Sequence, residues 1–138
     1  MMAGIRAKDT KPELLVRRGL HALGFRFRLH QRNLPGKPDL VLAKYHVAIF
    51  VHGCFWHCHD CKLFRWPSSH KAFWRRKLSM NRDSDERARS QLLRDGWRVL
   101  TIWECAIKGG HRHSEREIIR RSAKWIRSSQ RNYEIRGS

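Results

Sequence analysis

Between residues 52 and 61 the chain reads His52-Gly53-Cys54-Phe55-Trp56-His57-Cys58-His59-Asp60-Cys61, three thiols and three imidazoles within ten residues. An apolar core cannot absorb so many polar donors, and a solvated surface has no use for them beside two large aromatics. A fourth cysteine stands at Cys105. Together they meet the demand of a tetrahedral zinc ion for nitrogen and sulfur ligands. The fold therefore has to bring Cys105 back to a loop some fifty residues earlier. The spacing Cys58-x-x-Cys61 makes one natural pair of thiolates, because a two-residue gap lets both reach one ion.

The 138 residues suit one domain, 1–138, long enough to bury a core, with a zinc loop at about 52–66. Thirty Lys and Arg oppose twelve Asp and Glu, a formal charge of +18 that points to nucleic acid. A ribosomal or lipid-surface protein would share that charge, so the motifs must separate these classes. No apolar run reaches the length of a membrane span and no secretory signal opens the chain, so a cytoplasmic location is expected. In a reducing compartment the cysteines read as metal thiolates, not disulfides.

Thr10-Lys11-Pro12-Glu13 has the pattern of a helix start with a capping box, and Gly24 closes that helix. Leu14, Leu15, Leu20 and Leu23 give it an apolar face. Phe25, Phe27 and Leu29 alternate with arginines as in a half-buried strand. After the turn at residues 33–38, the runs 39–43 and 47–51 predict a hairpin of central strands. Residues 73–95 have helical composition, as one helix or two. Residues 97–103 predict a strand, and Ser114-Glu115-Arg116-Glu117 starts a last helix to about Ser128. Residues 130–138 read as a frayed tail. This order describes an α/β protein with a mixed sheet flanked by helices.

Pro38-Asp39 stands at the head of one strand and His52 just past the end of the next, the skeleton of a metal-dependent nuclease. Phosphodiester cleavage needs an anionic ligand for a divalent cation and a group to deprotonate water. Asp39 could equally do no more than end the Pro-Gly turn.

Leu34-Pro35-Gly36-Lys37-Pro38-Asp39, Ile49 through His57, Gly96-Trp97-Arg98-Val99-Leu100 and Trp103-Glu104-Cys105 resemble the very-short-patch mismatch repair endonucleases (Vsr family) from about Ile5 to Gly109. The resemblance implies a restriction-endonuclease-like three-layer α/β/α core with a structural zinc. It also implies magnesium-dependent nicking of one DNA strand, 5′ of the thymine in T·G mismatches left by deaminated 5-methylcytosine. Asp39 then binds magnesium with the main-chain carbonyl of Val51, a position often held by threonine, and His57 is the candidate general base. His52 and Glu13 reach metal-bound water and phosphate, and Asp85 supports the histidine. Capping alone also explains Glu13, and a solvated helix face also explains Asp85.

The resemblance assigns zinc to Cys54, His59, Cys61 and Cys105, where spacing alone would choose Cys58 with Cys61; Cys58 is then a spare thiol. Phe55, Trp56 and Trp74 match aromatics inserted into the base stack beside the mismatch, where a wobble pair is cheaper to unstack. Phe73, Trp97 and Trp103 are expected in the core. Met2 and Ile5 match a minor-groove element, here without the extension usual in the family. Arg6, Lys8, Lys37, Arg65, Lys71, Arg75, Arg76, Lys77 and Arg82 are available to phosphates.

The expected protein is a monomeric DNA mismatch endonuclease acting on double-stranded DNA near the bacterial nucleoid, with mismatch-repair proteins as further partners. Two rivals remain: a nuclease without mismatch specificity, or a non-catalytic zinc module that binds DNA.

Overall fold

The computed structural model describes residues 10–138. Helix α1 (Lys11–Ala22) starts as its sequence demands, with the Thr10 hydroxyl accepting the Glu13 N–H at 3.3 Å and Pro12 in the first turn. Its buried apolar face is Val16 and Leu20, whereas Leu23 is half exposed. The chain then forms β1 (Arg28–Leu29), β2 (Leu40–Leu42), a 3-10 turn, β3 (Val47–His52), α2 (Lys71–Arg94), β4 (Arg98–Trp103), α3 (Glu104–Ile107), α4 (Glu115–Ile126) and β5 (Asn132–Ile135).

The five strands lie in sheet order β1-β2-β3-β4-β5. β1, β2 and β3 pair antiparallel, and β3, β4 and β5 pair parallel, so the sheet is mixed. Side chains alternate across it. Val47, Ile49, Leu100 and Ile102 face one way and bury against Val16 and Leu20 of α1 and Ile118 and Ile126 of α4. Ala48, Phe50 and Val99 face the other way, against Leu92 of α2. Both faces of β3 and β4 are therefore covered, which is why these strands read as continuous apolar runs. Three layers result, with α1 and α4 on one side and α2 on the other.

Several expectations change. The first strand shrinks to two residues because Phe25 leaves the sheet to bury against Tyr45, their rings 5.6 Å apart. Residues 71–94 form one helix of 24 residues. The supposedly frayed tail supplies β5: Val99↔Asn132 through Ile102↔Ile135 cover the open edge of β4, and Ile135 is fully buried. Arg98 secures the approach to it by donating to the carbonyls of Trp125, Ile126 and Ser128, the bare end of α4. Phe73 is not core; it is 55% exposed. Among the described residues no helix is long and apolar enough to cross a membrane.

The turn before β2 touches α2 directly. Gly36 has φ +74, and a Cβ there would lie 2.8 Å from the Cβ of Ala88 and 3.1 Å from the Phe50 ring. Only glycine fits both the backbone and the gap.

Candidate active site and metal centre

The hairpin register places Asp39 beside the end of β3. Its N–H donates to the Ile49 carbonyl at 2.9 Å, and its carboxylate accepts the Val51 N–H at 2.7 Å. Burial raises the Asp39 carboxyl to about 7; the Val51 N–H opposes this and the nearby Glu13 charge adds to it. Glu13 is also buried, at 1% exposure, and projects from α1 with its Oε2 accepting from Arg17 at 2.8 Å and hydrogen-bonded to His30 Nε2 at 2.6 Å. Donor atoms of Glu13, His30 and Asp39 all lie within 4.8 Å of one another. Two carboxylates this close repel unless a cation or donors offset them, and their oxygens are the ligands a hard divalent cation prefers.

The next residues of β3 lead into a second group. His52 stacks on His57 with ring centroids 3.7 Å apart, and Asp85 of α2 is hydrogen-bonded to His57 Nδ1. Atoms of His52, His57 and Asp85 again fall within 4.8 Å of one another. A carboxylate can only accept, so Asp85 sets the proton on Nδ1 and leaves Nε2 of His57 with its lone pair. Burial holds His52 well below the usual imidazole range, helped by the charges of His57 and His59. His52 is thus neutral near pH 7. From Asp39 through Val51 and His52 to His57 and Asp85, each group touches or adjoins the next.

The third group joins the loop to α3. Cys54, His59, Cys61 and Cys105 place their ligand atoms within 4.8 Å of one another, and His59 Nδ1 lies 3.5 Å from Cys54 Sγ and 3.6 Å from Cys105 Sγ. Main-chain N–H groups of Cys105 and Gly137 donate to the sulfurs of Cys54 and Cys105, both at 3.3 Å. Without a cation, burial pushes the Cys54 thiol far up, and the neighbouring thiols add to this. Three sulfurs and one nitrogen, with Cys54, His59 and Cys105 buried and main-chain N–H groups donating to two of the sulfurs, fit a tetrahedral zinc with no open position. Cys58 is outside this set: it sits at φ +52 and faces Arg82 across 4.0 Å. The pairing of Cys58 with Cys61 that spacing alone offers is not formed.

Phe55, Trp56 and Trp74 make one partly exposed aromatic cluster, with centroid separations of 5.0 to 6.0 Å. Asn81 fixes its base by donating to the Trp56 carbonyl at 3.0 Å. Exposed Lys71, Arg75, Arg76, Lys77 and Arg82 follow along α2, and Arg75 covers the Trp66 ring. Trp97 stacks on His46, and Trp103 sits among the histidines instead of the core. Met2, Ile5, Arg6 and Lys8 lie outside the described residues.

The profile of the family described as DNA mismatch endonuclease Vsr matches residues 1–63. The chain is 40% identical to the DNA mismatch endonuclease Vsr of Escherichia coli over 125 residues, 91% of this chain and 80% of that protein. The chain belongs to the Vsr family. It is also 44% identical to the type II nicking enzyme V.XorIIP of Xanthomonas oryzae pv. oryzae over 107 residues, 78% of this chain and 79% of the relative. The type II nicking enzyme V.NmeAIP of Neisseria meningitidis is 42% identical over 108 residues, 78% and 77% of the two chains. Membership in the Vsr family makes this chain a hydrolytic endonuclease that acts on DNA by nicking.

The stretch matched by the Vsr profile contains Glu13, Asp39, His52, His57 and the first three zinc-type ligands, while Asp85 and Cys105 come from beyond it. Two residues escaped the sequence reading. His30 carried no spacing signal, since its partner Glu13 lies 17 residues away on another element. Glu104, which accepts the Cys54 N–H at 3.1 Å, was readable only as the neighbour of Cys105.

Proposed function

We propose that this Vsr-family chain nicks one strand of duplex DNA 5′ of the thymine in a T·G mismatch, with Asp39 as the cation ligand and His57 as the general base. The observation that carries the reading is the unbroken contact path from the buried Asp39 carboxylate to the His57–Asp85 pair. The E. coli relative is named for mismatch cleavage, which favours a mismatch over an intact site.

Asp39 and the Val51 carbonyl would hold magnesium, with Glu13 and His52 reaching its waters and the phosphate. Such a cation supplies charge neutralisation at the phosphate and a more acidic water. His57 Nε2 takes the proton of the attacking water, and Asp85 stabilises the imidazolium that forms. His52, neutral and flat against His57, fixes the ring's plane. Phe55, Trp56 and Trp74 enter the weakened stack at the wobble pair, and the cations of α2 hold the phosphates on either side. Zinc on Cys54, His59, Cys61 and Cys105 has a structural role, tying the loop that carries His57 to the end of β4. The layered sheet is read as a restriction-endonuclease-like core, acting as a monomer in the bacterial cytoplasm alongside mismatch-repair proteins.

Nicking of T·G, fully matched and single-stranded substrates, with and without magnesium, tests the reading. T·G duplex alone should be cut, and Asp39→Ala should be inert. Equal cutting of matched duplex would remove mismatch specificity, and an active Asp39→Ala protein would remove the mechanism.

A further inference from the structure

We infer that His30 is a positioning residue of the cation site, an imidazole that holds the Glu13 carboxylate of α1 beside Asp39 at the head of β2. The inference rests on the reading that Glu13 and Asp39 face the catalytic cation.

His30 reaches both acids at once. Its side chain meets Glu13 Oε2 at 2.6 Å, and its main-chain N–H donates to the Asp39 carbonyl at 3.1 Å. Arg17 also donates to Glu13 Oε2, from four residues along the same helix, and its charge favours ionisation of Asp39. The His30 bond runs from α1 to the sheet. It makes the position of one carboxylate depend on the position of the other.

The backbone at His30 supports this assignment. The residue leaves β1 with φ 49, in the left-handed region that residues with a side chain enter at a cost, though histidine enters it more readily than most. Glycine would serve a plain turn at least as well. The imidazole is what glycine would lack.

The electrostatics give the bond a purpose. Glu13 and Asp39 have oxygens within 4.8 Å, and the charge of Glu13 opposes ionisation of Asp39. A donor on Glu13 offsets that repulsion while no cation is bound, so the two carboxylates stay facing the same point. Groups that orient a ligand in this way commonly alter metal affinity 10- to 100-fold when removed. A neutral imidazole donating from Nε2 is sufficient, and a glutamine amide can donate to the same oxygen.

The test uses the full chain with Mn2+ as the probe, its binding without DNA followed by electron paramagnetic resonance. Nicking of a T·G duplex is measured in parallel over a range of Mg2+ concentrations. His30→Gly suits the left-handed backbone and removes the imidazole; zinc content and the melting midpoint verify that it folds. It should weaken Mn2+ binding and raise the Mg2+ needed for half-maximal rate by about tenfold, with the rate at saturating Mg2+ changed far less. His30→Gln should restore both to within about threefold of the parent, since it supplies the donor. A His30→Gly protein with unchanged Mn2+ and Mg2+ dependence overturns the proposal. So does a His30→Gln protein as impaired as the glycine variant, which would make the imidazole itself a ligand. Asp39→Asn separates the two readings: if it still binds Mn2+ and nicks, the cation site is elsewhere, whatever the His30 variants do.

Discussion

Trp103 lies flat on His59, their rings 3.8 Å apart and 7° from parallel, and turns towards His52 and His57 at 5.4 and 6.3 Å. One indole is thus the shared wall of the sulfur cluster and the paired histidines. Stripping zinc with a chelator should abolish nicking and collapse the loop, because the binding energy of a structural ion is folding energy. Cys105→Ser should do the same, whereas Cys58→Ser should leave zinc content and rate unchanged. Metal analysis beside a nicking assay checks all three.

His57→Ala should lower the single-turnover rate by about 10²- to 10⁴-fold, the usual worth of a positioned base. Asp85→Asn should produce a loss in the same step, on the order of tenfold or more, because the tautomer of His57 is no longer enforced. DNA affinity, measured by filter binding, should stay within a few-fold of the parent for both.

Cation binding needs Asp39 ionised, and its carboxyl stands at about 7 before any cation arrives. Below that pH protons compete, so the Mg2+ required for half-maximal nicking should rise by about tenfold per pH unit and level off above it. Stability shifts the opposite way. A folded pKa raised from 3.8 to about 7 gives a contribution that is full below 3.8 and lost as pH rises through 7. In magnesium-free buffer, Asp39→Asn should therefore melt above the parent at pH 8 and near it at pH 4.

Substituting Trp56 or Phe55 by alanine should narrow the preference for T·G over matched duplex, with a loss of about 1–3 kcal/mol in binding for each stacking contact removed. Replacing Arg75 and Arg76 should instead weaken both substrates equally and flatten the dependence of affinity on salt. Titrations at two ionic strengths distinguish the cases.

Ile135→Ala should destabilise the protein by roughly 2–5 kcal/mol, as for a fully buried aliphatic side chain. Denaturant unfolding measures it. A frayed tail would show no effect.

The central elements were legible because their residues agree with their surroundings. β3 and β4 are covered on both faces, so they carry unbroken apolar runs, and Thr10 and Ser114 announce helices that begin where those residues cap them. What escaped depends on tertiary contact. Asn132–Ile135 holds one fully buried residue and forms a strand only because β4 offers an edge. Cys58 looks as good a ligand as Cys54 until its left-handed backbone is seen turning it towards Arg82. His30 is one histidine after a short strand until α1 brings Glu13 to it.

Gly36 touches no substrate in this reading, yet it lets the turn ahead of Asp39 press against the helix that carries Asp85 and Trp74. A side chain at that point would pry the two apart and misalign both halves of the machinery in one stroke. A genetic screen for silent nucleases would therefore recover codon 36 as readily as codon 39, and a map of inactivating changes would overstate the footprint of the reaction by the area of one turn.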